Sequence, residues 1–207
     1  MIVPSMSCVE IAREFILDYK SVCNKADHLA KVLRREAIKT KTKKIIKFYP
    51  YTSVRSNNWM ILLEYLHPKC AAITAVHYLN SAGSFNLIQS FDILVFHHFT
   101  SHFLVRYNER FLKRNGLSKL EIFKLYILNN NYSTVKYLES NYVYLKIKDG
   151  YVLGISEEID EGIEIIHYNT FLSNDMILDY QKEDVNFLTE KFSNYFEEHP
   201  GEKKMHY

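Results

Sequence analysis

The sequence predicts an α+β fold in which an antiparallel sheet packs against N-terminal, central and C-terminal helices. Three observations point there. Segments with helical spacing stand near both ends and in the middle of the chain. Short apolar runs separated by turn residues lie between them, as in antiparallel meanders. Helices and strands do not alternate one for one, which disfavours a doubly wound parallel sheet. At 207 residues the chain can bury a sizeable core. The expected division is a helical, basic segment at 1–57 and an α+β domain at 58–207, with a single domain over 1–207 as the alternative.

The first helix is expected over 7–39. Ser7 with Glu10 three residues on is a capping-box pattern. Ile11, Phe15, Val22, Leu29, Val32, Leu33 and Ile38 recur at helical spacing, interrupted by Asp18. Asn24 marks a candidate break into two helices. Residues 45–54 read as extended, with Pro50 confining them to a sheet edge or a bend. The run 58–66 fits strand and helix alike, being short and apolar. Residues 73–79 read as strand, 80–84 as a turn, and 85–89 and 91–96 as further strand.

A helix is expected over 101–114, stopped by Asn115-Gly116. Ser118 and Glu121 form a second capping-box pattern for a helix to about Leu128. Asn129, Asn130 and Asn131 break it, and a helical turn follows to Leu138. Residues 142–148, Asp149-Gly150 and 151–155 have the form of a β-hairpin. Gly162 separates a third strand, 163–171. From Asn174 to about Glu198, Leu178, Val185, Leu188 and Phe192 supply the apolar stripe of a last helix.

Composition narrows the class. No apolar run is long enough to span a bilayer, and the N-terminus lacks a signal-peptide pattern. Cys8, Cys23 and Cys70 are odd in number and widely spaced, which fits reduced thiols in a cytoplasmic protein better than a disulfide frame. No phosphate-loop, dinucleotide-binding, nucleophile-elbow or kinase motif occurs. Glu157-Glu158 and Asp160-Glu161 are expected in a solvated turn.

Charge is unevenly spread. Residues 1–150 carry 22 Lys and Arg against 11 Asp and Glu, whereas 151–207 carry 4 against 13. The densest basic stretch holds Lys31, Arg34, Arg35, Lys39, Lys41, Lys43, Lys44 and Lys47 against Glu36. Such a stretch can track a phosphate backbone; the plainer reading is a solvated helix face and connector. Beside it, Tyr49, Tyr51, Arg55, Asn57, Asn58 and Trp59 interleave aromatics with polar groups. These either stack exposed bases or pack the core.

The densest chemistry lies at 96–110, where three His, two Arg and one Glu follow an apolar run. On a helix starting near Ser101, His102, Arg106, Glu109, Arg110 and Lys113 share one face. Cleavage of RNA by its own 2′-hydroxyl needs a base, an acid and fixed positive charge at the phosphorus. An imidazole suits the proton transfers and guanidinium groups suit the phosphate. A surface helix with i,i+3 ion pairs is the structural alternative.

Thr100-Ser101-His102-Phe103-x-x-Arg106-Tyr107-x-Glu109-Arg110, followed by Gly116-Leu117-Ser118 and a second helix, resembles the H-x-x-x-R-x-x-E-R element of toxin-type nucleases of the barnase/EndoU/colicin/RelE-like superfamily. The resemblance spans about residues 98–172. It implies a helical part before a small antiparallel sheet, with His102 as acid/base, Arg106 and Arg110 as phosphate ligands, and Thr170 as a polar partner on a late strand.

The expectation is therefore an RNA-engaging protein, with metal-independent endoribonuclease chemistry at His102, Arg106, Arg110 and Thr170. Arg34, Arg35, Lys39, Lys41, Lys43, Lys44 and Lys47 would guide the strand. No cofactor or metal is called for. The alternative is a non-catalytic interaction or nucleic-acid-binding module that meets a protein partner or a second copy. A third reading is a metal site on His97, His98 and His102.

Overall fold

The computed structural model describes residues 1–90, 93–130, 135–138, 141–159 and 162–176. The architecture is α+β, with antiparallel strand pairing and helices before and between the strands. The chain divides into two compact units, 1–96 and 97–207. The segment 1–57 therefore shares its unit with the strands that follow it. No helix among the described residues is long and apolar enough to cross a membrane.

The first unit consists of helix α1 (Cys8–Thr40) and strands β1 (Lys44–Thr52), β2 (Asn58–Leu66), β3 (Lys69–Leu79) and β4 (Phe85–Ser90). The strands pair in chain order, all antiparallel. Both arms of the Ser7–Glu10 capping box form. Asn24 does not break α1, because Val22 and Ala26 on either side of it are buried in one stripe. That stripe runs through Leu33 and Ala37, and leaves Val32 and Ile38 exposed. α1 lies on β2 and β3, with the rings of Phe15 and Trp59 centred 4.7 Å apart. Residues 58–66 are thus strand: β2 has a partner on each side and is buried along most of its length. Among the described residues β1 pairs with β2 alone, so Pro50 sits on an edge strand, where proline is tolerated.

Asp18, the interruption in the apolar stripe, is buried. Its carboxyl accepts bonds from Ser53 (2.5 Å), Asn57 (2.7 Å) and Trp59 Nε1 (3.2 Å). A buried polar group is costly unless hydrogen-bonded, and these three donors meet that condition. Trp59 and Asn57 are therefore core, not base-stacking groups. Arg55 holds Glu14, and Tyr51 lies under the ammonium of Lys25.

In the second unit the hydrogen-bonded order is β5 (Val95–Phe99), β9 (Ile163–Ser173), β8 (Gly150–Ile159), β7 (Tyr142–Ile147) and β6 (Val135–Tyr137). Helices α2 (Ser101–Tyr107) and α3 (Lys119–Asn130) pack together, and α2 lies on β9. Phe99, Phe103, Tyr107, Phe123, Tyr126, Tyr168 and Phe171 form a buried aromatic cluster, with edge-to-face pairs such as Phe103–Tyr126 at 5.2 Å and Tyr107–Phe171 at 5.0 Å.

Several elements differ from the sequence expectation. The strand expected at 91–96 begins at Val95 and runs on to Phe99, with 91 and 92 outside the described residues. The turn expected before Leu138 is strand β6, which pairs with β7. The hairpin turn is Lys148-Asp149, one residue earlier than expected, since Ile147 pairs with Gly150. Glu157 and Glu158 lie on β8, not in a turn. At Asn174 a short 3-10 turn reaches Met176, and the rest of the expected last helix lies outside the described residues.

Candidate active site and nucleic-acid interface

α2 is pinned to β9 at both ends. At its start, the Thr100 hydroxyl accepts from Phe103 N–H (3.1 Å) as the helix cap and donates to the Tyr168 carbonyl (3.0 Å). The helix then buries Phe103, Leu104 and Tyr107. After Tyr107 it widens into a π turn, Asn108–Leu112, closed by Lys113 N–H on the Asn108 carbonyl at 2.7 Å. π turns often occur at functional sites. This one carries Arg110, whose Nη1 donates to the Thr170 hydroxyl (3.4 Å) and to the Phe171 carbonyl.

His102 and Arg106 stand between the two anchors, both half-buried. Arg106 Nε donates to His102 Nε2 at 3.2 Å, and Arg106 Nη1 donates to Glu109 at 3.0 Å. Accepting at Nε2 puts the neutral imidazole's proton on Nδ1. The structure thus links His102 with Arg106, and Arg110 with Thr170, on one helix and the strand beneath it. The expected face does not extend to Lys113. That residue adopts a left-handed conformation (φ 51°) and stops the helix before Asn115-Gly116 is reached.

The neighbouring histidines serve other partners. His97 Nδ1 meets the Tyr168 hydroxyl at 2.8 Å. His98 Nδ1 meets His167 Nδ1 at 2.8 Å, and His167 Nε2 lies 3.7 Å from Glu157. Burial holds the His98 and His167 imidazoles below their ordinary titration range, although Glu157 pulls His167 the other way. His97, His98 and His102 therefore turn to three different partners, and their ring nitrogens do not gather as one group among the described residues. His98 and His167 are the pair whose ring nitrogens converge. Their separation of 69 residues leaves no trace in sequence spacing.

In the first unit the basic stretch gathers at one end. Arg34, Arg35 and Lys39 lie on the last turns of α1; Lys41, Lys43 and Lys44 follow, and all six are exposed. Among the described residues, Lys44 pairs with Glu64 (3.2 Å) and Lys47 with Glu36 (2.6 Å). Those two are therefore partly neutralised. The β2–β3 turn adds residues that sequence reading missed. His67 N–H donates to the Lys43 carbonyl (3.0 Å), and Lys69 pairs with Leu66 beside Lys44. Only strand pairing brings His67 and Lys69 to this end.

Comparison with protein-family models, with curated proteins and with solved structures found no match.

Proposed function

We propose that the protein engages RNA and cleaves it without a metal, as toxin-type endoribonucleases do, at a site on α2 and β9. The meeting of Arg110 with Thr170, 60 residues apart in sequence, is the observation that carries this reading. It puts the late-strand threonine beside the helix that also bears His102 and Arg106.

In this reaction the RNA 2′-hydroxyl attacks the adjacent phosphorus. The bond to the 5′-oxygen breaks, leaving a 2′,3′-cyclic phosphate. His102 Nε2 takes the 2′ proton, and a protonated His102 or water returns one to the departing oxygen. Arg106 covers Nε2 in the free protein, so an incoming phosphate that draws the guanidinium to itself also uncovers the base. Arg110, held by neutral oxygens of β9, adds fixed positive charge to the dianionic transition state. Thr170 is buried and acts by positioning Arg110. The exposed cations from Arg34 to Lys43 attract the RNA backbone.

The test is incubation of wild type, His102→Ala and Arg106→Ala with labelled RNA in EDTA. Cleavage by wild type, lost in His102→Ala and reduced about 100-fold or more in Arg106→Ala, is expected. Equal products from wild type and His102→Ala, or none from either, would reject the catalytic reading.

A second reading, a non-catalytic binding module, is favoured by the bonds Arg106 already makes to His102 and Glu109. It expects salt-sensitive RNA association without turnover.

A further inference from the structure

We propose that His67 is a stacking platform for an unpaired base of the bound RNA. This rests on the RNA reading above and names the form of RNA that the first unit prefers.

His67 stands at the exposed turn between β2 and β3. Its imidazole lies near the Tyr65 ring, with centroids 6.4 Å apart and planes at 24°. Tyr65 is buried. The imidazole thus has a buried aromatic neighbour while the residue itself stays open to solvent. Its main chain is also held, through the 3.0 Å bond from its N–H to the Lys43 carbonyl.

Basic residues of three elements gather at this turn, Lys44 among them paired with Glu64. Lys43 and Lys44 precede and begin β1, and Lys69 begins β3. Arg34 of α1 lies close enough to act electrostatically on Cys70, the residue after Lys69. Lys44 and Lys69 both flank Leu66 in the strand register, two strand spacings or about 10 Å apart. An aromatic face beside positive charges that follow a backbone is the arrangement that binds single strands. A base inside a duplex has both faces covered by its neighbours, so it cannot use such a platform. The first unit should therefore prefer single-stranded RNA, or an unpaired end, to a blunt duplex.

The experiment is an anisotropy titration of the full chain with a fluorescein-labelled 2′-O-methyl oligoribonucleotide, which lacks the attacking hydroxyl and stays intact. Single strand and blunt duplex are compared for wild type, His67→Ala, His67→Phe and Lys43→Glu/Lys69→Glu. Loss of a base stack weakens single-strand binding about tenfold in His67→Ala, with His67→Phe near wild type and duplex binding unchanged by either. The proposal is overturned if His67→Ala binds single strand like wild type; weakening by Lys43→Glu/Lys69→Glu would then leave the RNA reading standing. It is also overturned if wild type binds neither oligonucleotide, and in that case the RNA reading falls with it.

Discussion

The hydroxyl of Tyr107 donates to the carboxyl of Asp149 at 2.6 Å, and both groups are buried. Asn130 donates to the same carboxyl at 2.7 Å, and the Asp149 N–H reaches the Asn130 side chain at 3.4 Å. The end of α2, the end of α3 and the β7–β8 turn are thus tied at one point. Burial and the Asp149 carboxyl push the Tyr107 hydroxyl above its ordinary titration range.

Removing the shared acceptor should cost more than removing one donor. Asp149→Ala removes the acceptor of the Tyr107 hydroxyl and the shortest bond of the Asn130 amide, which keeps the Tyr126 carbonyl at 3.2 Å, for a loss of about 2–4 kcal/mol. Tyr107→Phe leaves Asp149 bonded to Asn130 and should cost about 1–2 kcal/mol. Urea denaturation of both variants measures the order, and the reverse order would refute the hub.

Gly150 is required by its surroundings. A Cβ there would lie 2.0 Å from the Leu172 carbonyl oxygen, a backbone atom that cannot turn aside. Gly150→Ala should therefore lower stability by at least about 2 kcal/mol. Gly162→Ala is the contrast: nothing lies within 4 Å of its Cβ, so its cost comes from the positive φ of 76° alone. Thermal melts of the two variants should separate, with Gly150→Ala the lower.

Acid should act on the two units at different pH. Glu14 is held at about 2 by its hydrogen bond from Arg55, with help from the chain's N-terminal ammonium. A carboxyl lowered on folding contributes stability that is complete above its unfolded value near 4.5 and lost as pH falls towards 2. The stability difference between wild type and Glu14→Gln should stay constant from pH 7 to 5 and shrink below that. A difference that already fades between pH 7 and 5 would assign the effect elsewhere.

His98 and His167 titrate in a higher window. Burial lowers both, so the folded state binds protons less readily than the unfolded chain. Their contribution is complete above about pH 6.5 and is lost as pH falls towards their lowered folded values. Wild type should thus lose stability between pH 7 and 5, and His98→Leu should lose less over the same interval. Identical slopes for the two proteins would show that the buried pair is not responsible.

Local chemistry carried much of this protein into view. The Ser7–Glu10 and Ser118–Glu121 caps, the Asn80–Ser84 turn and the edge position of Pro50 all depend on residues close in sequence, and each forms as its spacing predicts. The α+β class was legible for the same reason: periodicity and turn residues report on neighbouring positions. His102 with Arg106 was visible as an i,i+4 pair. What sequence could not decide depended on distant partners. Residues 58–66 became strand because a strand lies on each side of them, and Asn24 stayed helical because the sheet buries the residues flanking it. The π turn that brings Arg110 to Thr170, the His98–His167 contact and the arrival of His67 beside Lys43 are set by pairing and packing over tens of residues. Short-range pattern carries no record of those contacts, since their free energy arises only when the folded chain buries them together.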